Sequence, residues 1–361
     1  MTIQQHGGNV SFYSRQFNCP VGDILDYSAN INPLGFPTGT KDAIMDNFNI
    51  LLHYPDPEYQ ELKKSIAGFV NTRIDNILLG NGAVELIYLL CNMLKPNRLT
   101  IVVPTFSEYA RAATSSGARI KQIALNEEDN FSLPLEKILA SLPDSQVLFI
   151  CNPNNPTGNL FPRDQLEFIA QKCSQHEVLL VVDESFIEFT LSNKENSLIN
   201  LVDGNKIFVL SSLTKILGIP GLRIGYGVGH SLLIKKLNLK KDPWNINCFA
   251  ELAVKAGLSD QLFFEKTRQL VSMEKDFVYE KLDNIIGIEP FPSEVNFLLA
   301  KITRSGLTST KLVEEMALKK ILIRDCSNFS GLSDKYIRLG IKNRANNLTM
   351  IEALTSVIAG S

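Results

Sequence analysis

The chain reads as an α/β protein in which a large domain holds a mostly parallel central sheet and a smaller α+β domain follows. Three observations predict this. Near-continuous apolar runs recur through the middle of the sequence, at residues 147–150, 178–182 and 206–210. Parallel strands covered by helices on both faces carry such runs, whereas half-exposed strands alternate polar and apolar residues. Segments with helical spacing such as Arg163–Gln175 lie between them, and the alternation implies βαβ units. Past Asp242-Pro243-Trp244 the texture changes to a long polar-apolar helical stretch reaching about Asp283, and then to shorter strands.

Taken in order, an N-terminal arm runs to about Gly35, and strands are expected near residues 77–79, 99–103, 120–125, 147–150, 178–182, 206–210 and 223–228. Beyond Pro290 the strands fall at 296–302, 321–324 and 336–341, with a helix at 309–320. The expected division is a large domain over 36–242, with 1–35 and 243–361 forming the arm and the small domain. No internal repeat or low-complexity linker interrupts the pattern.

Composition excludes several function classes. A chain of 361 residues, 45% hydrophobic, buries a large core. Its 36 basic and 38 acidic residues leave a net charge of −2, so nothing recommends a nucleic-acid or membrane-surface partner. The start, Met1-Thr2-Ile3-Gln4-Gln5, lacks a basic-then-apolar leader pattern, and no apolar stretch is long enough to span a bilayer. A cytoplasmic location is therefore expected. Six cysteines without a Cys-x-x-Cys pair read as reduced thiols, and with four dispersed histidines no metal site is expected.

The chemistry concentrates at strand ends. Lys215, in Ser211-Ser212-Leu213-Thr214-Lys215, follows an apolar strand, where its ammonium would lose water and its pKa would fall. A neutral amine there can attack an aldehyde. An isolated Ser-x-x-Lys is more often a solvated loop lysine; here its company changes the reading. Asp183 ends the run at 178–182, and ligands of open α/β sheets sit outside the carboxyl ends of the strands. Taken alone it reads equally as a helix N-cap. Asn155, in Asn152-Pro153-Asn154-Asn155-Pro156-Thr157-Gly158, projects an amide at the same edge. Gly80-Asn81-Gly82 links a strand to a helix, and a helix start with glycine before it can approach a phosphate. It lacks the third glycine of a dinucleotide fingerprint and the Gly-Lys-Ser/Thr of a P-loop. Arg223, eight residues after Lys215, would be a cationic partner for a dianion.

These runs, with Pro104-Thr105-Phe106-Ser107-Glu108-Tyr109 and the stretch from Ser211 to Tyr226, resemble the fold-type-I aminotransferase superfamily of pyridoxal 5′-phosphate (PLP) enzymes over nearly the whole chain. The resemblance implies that Lys215 bonds the cofactor aldehyde and that Asp183 meets its pyridine nitrogen, with both residues catalytic. It implies that Asn155 donates to the phenolic oxygen and that Phe106 stacks on the ring. The backbone of Gly82, Ala83 and Val84, with Ser212, Thr214 and Arg223, would hold the cofactor phosphate. Arg338, a charge within the apolar run 336–341, resembles the arginine that grips a substrate carboxylate. Arg324 and His6, with Asn30, Ile31 and Asn32, would bind a substrate phosphate. Tyr54 resembles a tyrosine reaching the cofactor phosphate of a neighbouring subunit, which implies a homodimer with shared sites. Arg15, Arg111, Arg304 and Arg344 have no match and read as solvated, and Glu184 as a supporting or solvated carboxylate.

Within the superfamily the chain resembles histidinol-phosphate aminotransferases and threonine-phosphate decarboxylases of cobalamin synthesis. His6-Gly7-Gly8-Asn9, the segment from Asp26 to Gly35 and Ile321 to Phe329 resemble the decarboxylases. So does Phe186, where the aminotransferases carry a tyrosine that donates to the phenolic oxygen. The expected activity is decarboxylation of L-threonine O-3-phosphate, with histidinol-phosphate transamination as the alternative. Serine phosphate is a further candidate substrate. A PLP-binding regulator would carry a basic helical module, and the arm beginning at His6 leaves no room for one upstream in this sequence.

Overall fold

The computed structural model describes residues 6–360. A short strand, β1 (Leu25–Asp26), precedes the principal set: β2 (Ile77–Gly80), β3 (Arg98–Val103), β4 (Arg119–Ala124), β5 (Val147–Cys151), β6 (Leu179–Asp183), β7 (Ile207–Ser212) and β8 (Gly225–Gly229). The later strands are β9 (Ile288–Pro290), β10 (Phe297–Ile302), β11 (Ile321–Leu322), β12 (Arg324–Asp325) and β13 (Tyr336–Gly340). The α/β class expected from the sequence is the one observed.

The principal sheet has the order β2-β8-β7-β6-β5-β3-β4, and only β8 runs against its neighbours. Its strands are apolar throughout because both faces are buried. Val181, Phe208 and Leu210 pack on one face with Leu86 and Ile87 of the helix Ala83–Leu94. Leu180, Val182 and Val209 pack on the other with Leu166 and Ile169 of the helix Arg163–Gln175. Side chains of a strand alternate faces, so a run buried on both sides needs no polar residue until it ends.

A four-stranded antiparallel sheet of order β12-β13-β10-β9 forms a second layer, and β1 pairs in parallel with β11. Its strand β10 divides its side chains: Phe297 and Leu299 join the larger core, while Leu298, Ala300 and Ile302 join a smaller one with Leu312, Met316 and Leu354.

Three local expectations are corrected. The strand placed at 223–228 begins at Gly225, because Arg223 takes a left-handed turn at φ 53°. The run at 321–324 is divided at Ile323 between two sheets. The long helical stretch breaks into Cys248–Leu258 and Gln261–Asp283, where Asp260 accepts the Phe263 N–H at 3.0 Å as an N-cap. Phe264 and Val271 pack into the larger core, and Val278 and Leu282 into the smaller, so the helix Gln261–Asp283 spans both.

Candidate active site

In a parallel sheet the carboxyl ends of neighbouring strands share one edge. Here the turns beyond β3, β5, β6 and β7 bring Phe106, Asn155, Asp183 and Lys215 to one cavity of about 700 Å³. Lys215 sits in the single helical turn Leu213–Ile216, and its Nζ lies 4.9 Å from the centre of the Phe186 ring. Burial holds its pKa below the ordinary lysine value, and the Asp183 carboxylate opposes part of that shift.

Asp183 is 4% exposed. Its Oδ2 accepts the Tyr109 hydroxyl at 2.6 Å, and its Oδ1 accepts the Ser185 N–H at 2.9 Å. Tyr109 is fully buried, with its ring stacked 5.0 Å from that of Phe149. Burial, with the Asp183 charge beside it, pushes the phenol well above the usual tyrosine range, so the hydroxyl keeps its proton and donates.

The left-handed turn at Arg223 folds its guanidinium back over Gly82, where a Cβ would lie 2.4 Å from Nη2. Gly82, at φ 82°, caps the helix that starts at Ala83. Ser212 and Thr214 face each other, Oγ to Oγ1, at 2.8 Å. Ala83, Val84, Ser212, Thr214 and Arg223 all line the cavity. A helix start, two hydroxyls and a guanidinium are groups that could hold an anion.

Arg338 and Arg324 face each other across the β12–β13 pair, and each is 6% exposed. Arg338 donates to Asn155 Oδ1 and, at 2.8 Å, to the Ser28 carbonyl. Its Nε is buried without a partner, and no carboxylate among the described residues pairs with it. Burial lowers its pKa to about 10 and lowers that of Arg324 too. Arg324 donates to Asn328 at 2.7 Å. The buried Arg338, whose Nε has no partner, lines the cavity beside Arg324, and an anion fits there.

His6, Asn30 and Ile31 also line this cavity, and the buried Oδ1 of Asn30 has no partner. Asn32, expected at the site, is not among the residues that line the cavity. Asn32 spends its amide on the Ile216 carbonyl at 2.7 Å and the Thr267 hydroxyl at 2.9 Å, while its own N–H donates to the Lys215 carbonyl. It therefore shapes the lysine turn from behind. Tyr54 is 82% exposed and lies against Trp244, with the ring centres 4.9 Å apart.

Arg344 and Arg111, read as solvated, have partners. Arg344 pairs with the buried carboxylate of Glu274 at 3.0 Å, and Arg111 donates to Glu108 at 2.9 Å. Glu184 is buried and accepts from the Ser197 hydroxyl and the Leu198 N–H. Tyr109 and Glu108 were missed as site residues. Both stand just past a strand-end turn, and nothing in their spacing announces partners 74 and 102 residues away. Among the described residues no cluster of His, Cys, Asp or Glu is placed to hold a metal ion, and no helix is long and apolar enough to cross a membrane.

The donor set fits PLP: an amine for the aldehyde, a held carboxylate for the ring nitrogen, a helix start with hydroxyls and a guanidinium for the phosphate, and a buried Arg338 whose Nε has no partner. Comparison with known proteins gives the same direction. The threonine-phosphate decarboxylase of Salmonella typhimurium is 36% identical over 98% of this chain and 97% of its own. The histidinol-phosphate aminotransferase structure from Clostridium acetobutylicum superposes with a TM-score of 0.88 at 32% identity, covering 94% of this chain and all of that one. The fold is also shared with the Sinorhizobium meliloti histidinol-phosphate aminotransferase solved with pyridoxal 5′-phosphate, at 21% identity and a TM-score of 0.87 over 97% of this chain and 94% of that one. The profile of the aminotransferase class I and II family matches residues 22–354, and the chain belongs to that family.

Proposed function

We propose that the protein is a PLP-dependent decarboxylase of L-threonine O-3-phosphate, forming aminopropanol phosphate and carbon dioxide. The observation that carries this choice is Phe186. Its ring lies 4.9 Å from Lys215 Nζ and offers no hydroxyl, where the resemblance to histidinol-phosphate aminotransferases would imply a tyrosine. The 36% identity to a threonine-phosphate decarboxylase over nearly the full length supports the same reading.

When bound, PLP supplies an electron sink for the bond broken at the substrate α-carbon. Asp183, fixed by Tyr109 and the Ser185 N–H, holds the proton on the cofactor ring nitrogen. Arg338 grips the carboxylate and Arg324 with His6 takes the substrate phosphate, so the molecule is held at both ends. Binding at the distal phosphate by Arg324 and His6 would set the orientation in which the α-carboxylate is presented for cleavage. Lys215, whose ammonium is destabilised by burial, delivers a proton to the α-carbon after carbon dioxide leaves.

A second reading, histidinol-phosphate transamination, is favoured by the 32% identity and close superposition with the Clostridium enzyme. One experiment separates them. The PLP-loaded protein is incubated with L-threonine O-3-phosphate without an amino acceptor, and carbon dioxide is measured. Release is expected; no release, together with 2-oxoglutarate-dependent loss of amine from histidinol phosphate, would reverse the assignment.

We also propose a homodimer in the cytoplasm. Met45, Phe48, Leu51, Leu52, Tyr54 and Trp244 are exposed apolar side chains, Tyr54 resting on Trp244, that a second copy would cover. Six unpaired thiols suit a reducing compartment.

A further inference from the structure

The arm at residues 6–9 reaches the cavity from outside the principal sheet, and two contacts fasten it. At one, Glu108 is a carboxylate only 5% exposed, at the start of the helix Glu108–Ser115. Its Oε1 accepts His6 Nε2 at 2.8 Å and an Arg111 N–H at 2.9 Å, and its Oε2 accepts the Tyr88 hydroxyl at 3.0 Å. The His6 ring also lies 5.7 Å from that of Phe106. With Nε2 engaged, Nδ1 is the ring nitrogen left for a ligand. At the other contact, the arm backbone presses on Ser28: a Cβ on Gly7 would lie 2.1 Å from the Ser28 carbonyl oxygen, and the Gly8 N–H donates to Ser28 Oγ at 2.9 Å. That carbonyl also receives Arg338 Nη2 at 2.8 Å.

We propose that Glu108 is the catch of this arm, a positioning residue that holds His6 toward the substrate phosphate. The Gly7–Ser28 seat ties the closed arm to the carboxylate-gripping Arg338. Glu108 touches neither the reacting atoms nor the phosphate; it acts through His6. Arg111, on the same oxygen as His6, and Tyr88, on the other, fix the carboxylate in place. One end of the substrate thereby reports to the other through a seated segment of four residues. The identity of the ligand rests on the decarboxylase reading; the catch itself does not.

The test uses the PLP-loaded full-length protein and the variants Glu108→Ala, Glu108→Gln and Gly7→Ala. Amide hydrogen exchange of the helix Val10–Phe17 is followed without substrate, and decarboxylation kinetics with L-threonine O-3-phosphate. Glu108→Ala is expected to speed exchange in that helix and raise KM about tenfold, with kcat within about twofold. Glu108→Gln, which keeps an acceptor for His6, should recover part of both effects. Gly7→Ala should speed exchange and raise KM from the opposite contact, and it supplies the answer if the loss of Glu108 prevents folding. Unchanged exchange and KM in Glu108→Ala and Gly7→Ala, or a loss of kcat at unchanged KM, would overturn the proposal. If the wild-type protein releases no carbon dioxide, the functional reading fails, and the exchange data still decide the catch.

Discussion

Asp183 and Glu184 are consecutive carboxylates at the end of β6, yet the pleat sends them to opposite surroundings. Asp183 meets the cavity, where Tyr109 and a backbone N–H hold it for a cofactor cation. Glu184 is buried on the other side, and burial outweighs the two donors it accepts, raising its pKa to about 7. The folded pKa lies above the unfolded value of 4.5, so between them the native state keeps a proton that the unfolded chain has lost. Stability from this group is complete below the lower value and is lost as pH rises through the higher, by on the order of 3 kcal/mol. Urea denaturation at pH 5 and pH 8 should show that fall in the wild type and a flatter response in Glu184→Gln. Equal pH dependence in the two proteins would mean that Glu184 is ionised in the fold throughout.

At the scale of elements, much of the site was legible because each functional residue follows its own strand. Asn155 and Lys215 follow β5 and β7 and Asp183 ends β6, and these strands are neighbours in the sheet, so their order along the chain becomes adjacency at one edge. The sequence does not state which side of an extended segment faces the ligand. Asn30 lines the cavity while Asn32, two residues on, supports the lysine turn, because the segment bends at the turn that Leu34 closes onto Asn32 Oδ1. Nor does it state long-range partners, which is why Tyr109 and Glu108 stayed hidden until strand β3 and its helix were docked. The glycine turn before the helix Ala83–Leu94 was legible as a phosphate approach, but its reason is more specific than backbone freedom. Gly82 combines φ 82° with ψ 157°, a region nearly closed to other residues, and the Arg223 guanidinium occupies the space a Cβ would need. Gly82→Ala is therefore expected to cost about 1–3 kcal/mol of stability and to push Arg223 out of the anion site. Denaturant titration would read the first effect, and a weaker PLP dissociation constant in equilibrium dialysis the second. An alanine variant with wild-type cofactor affinity would show that Arg223 does not hold the phosphate.

At the scale of the whole molecule, the placement of Tyr54 separates a self-contained site from a shared one. In this chain the residue is 82% exposed and outside the cavity, so a role in cofactor binding requires a second copy that brings its Tyr54 to this site. The exposed apolar side chains of the preceding helical segment, Phe48, Leu51 and Leu52, would give that second copy a surface to bury. Subunit mixing tests the arrangement without knowledge of the interface geometry. Lys215→Ala homodimers lack the amine and should be inert; Tyr54→Ala homodimers should bind PLP weakly and be nearly inactive at limiting cofactor. In a mixed dimer the site built on the Lys215→Ala chain carries both defects, while the other site draws an intact lysine and an intact tyrosine from different chains. Random exchange of equal amounts should then restore about a quarter of wild-type activity at limiting PLP. Activity that stays at the level of the unmixed variants, under conditions where exchange is verified by mass, would place all cofactor contacts within one chain and leave Tyr54 as a packing residue of the surface.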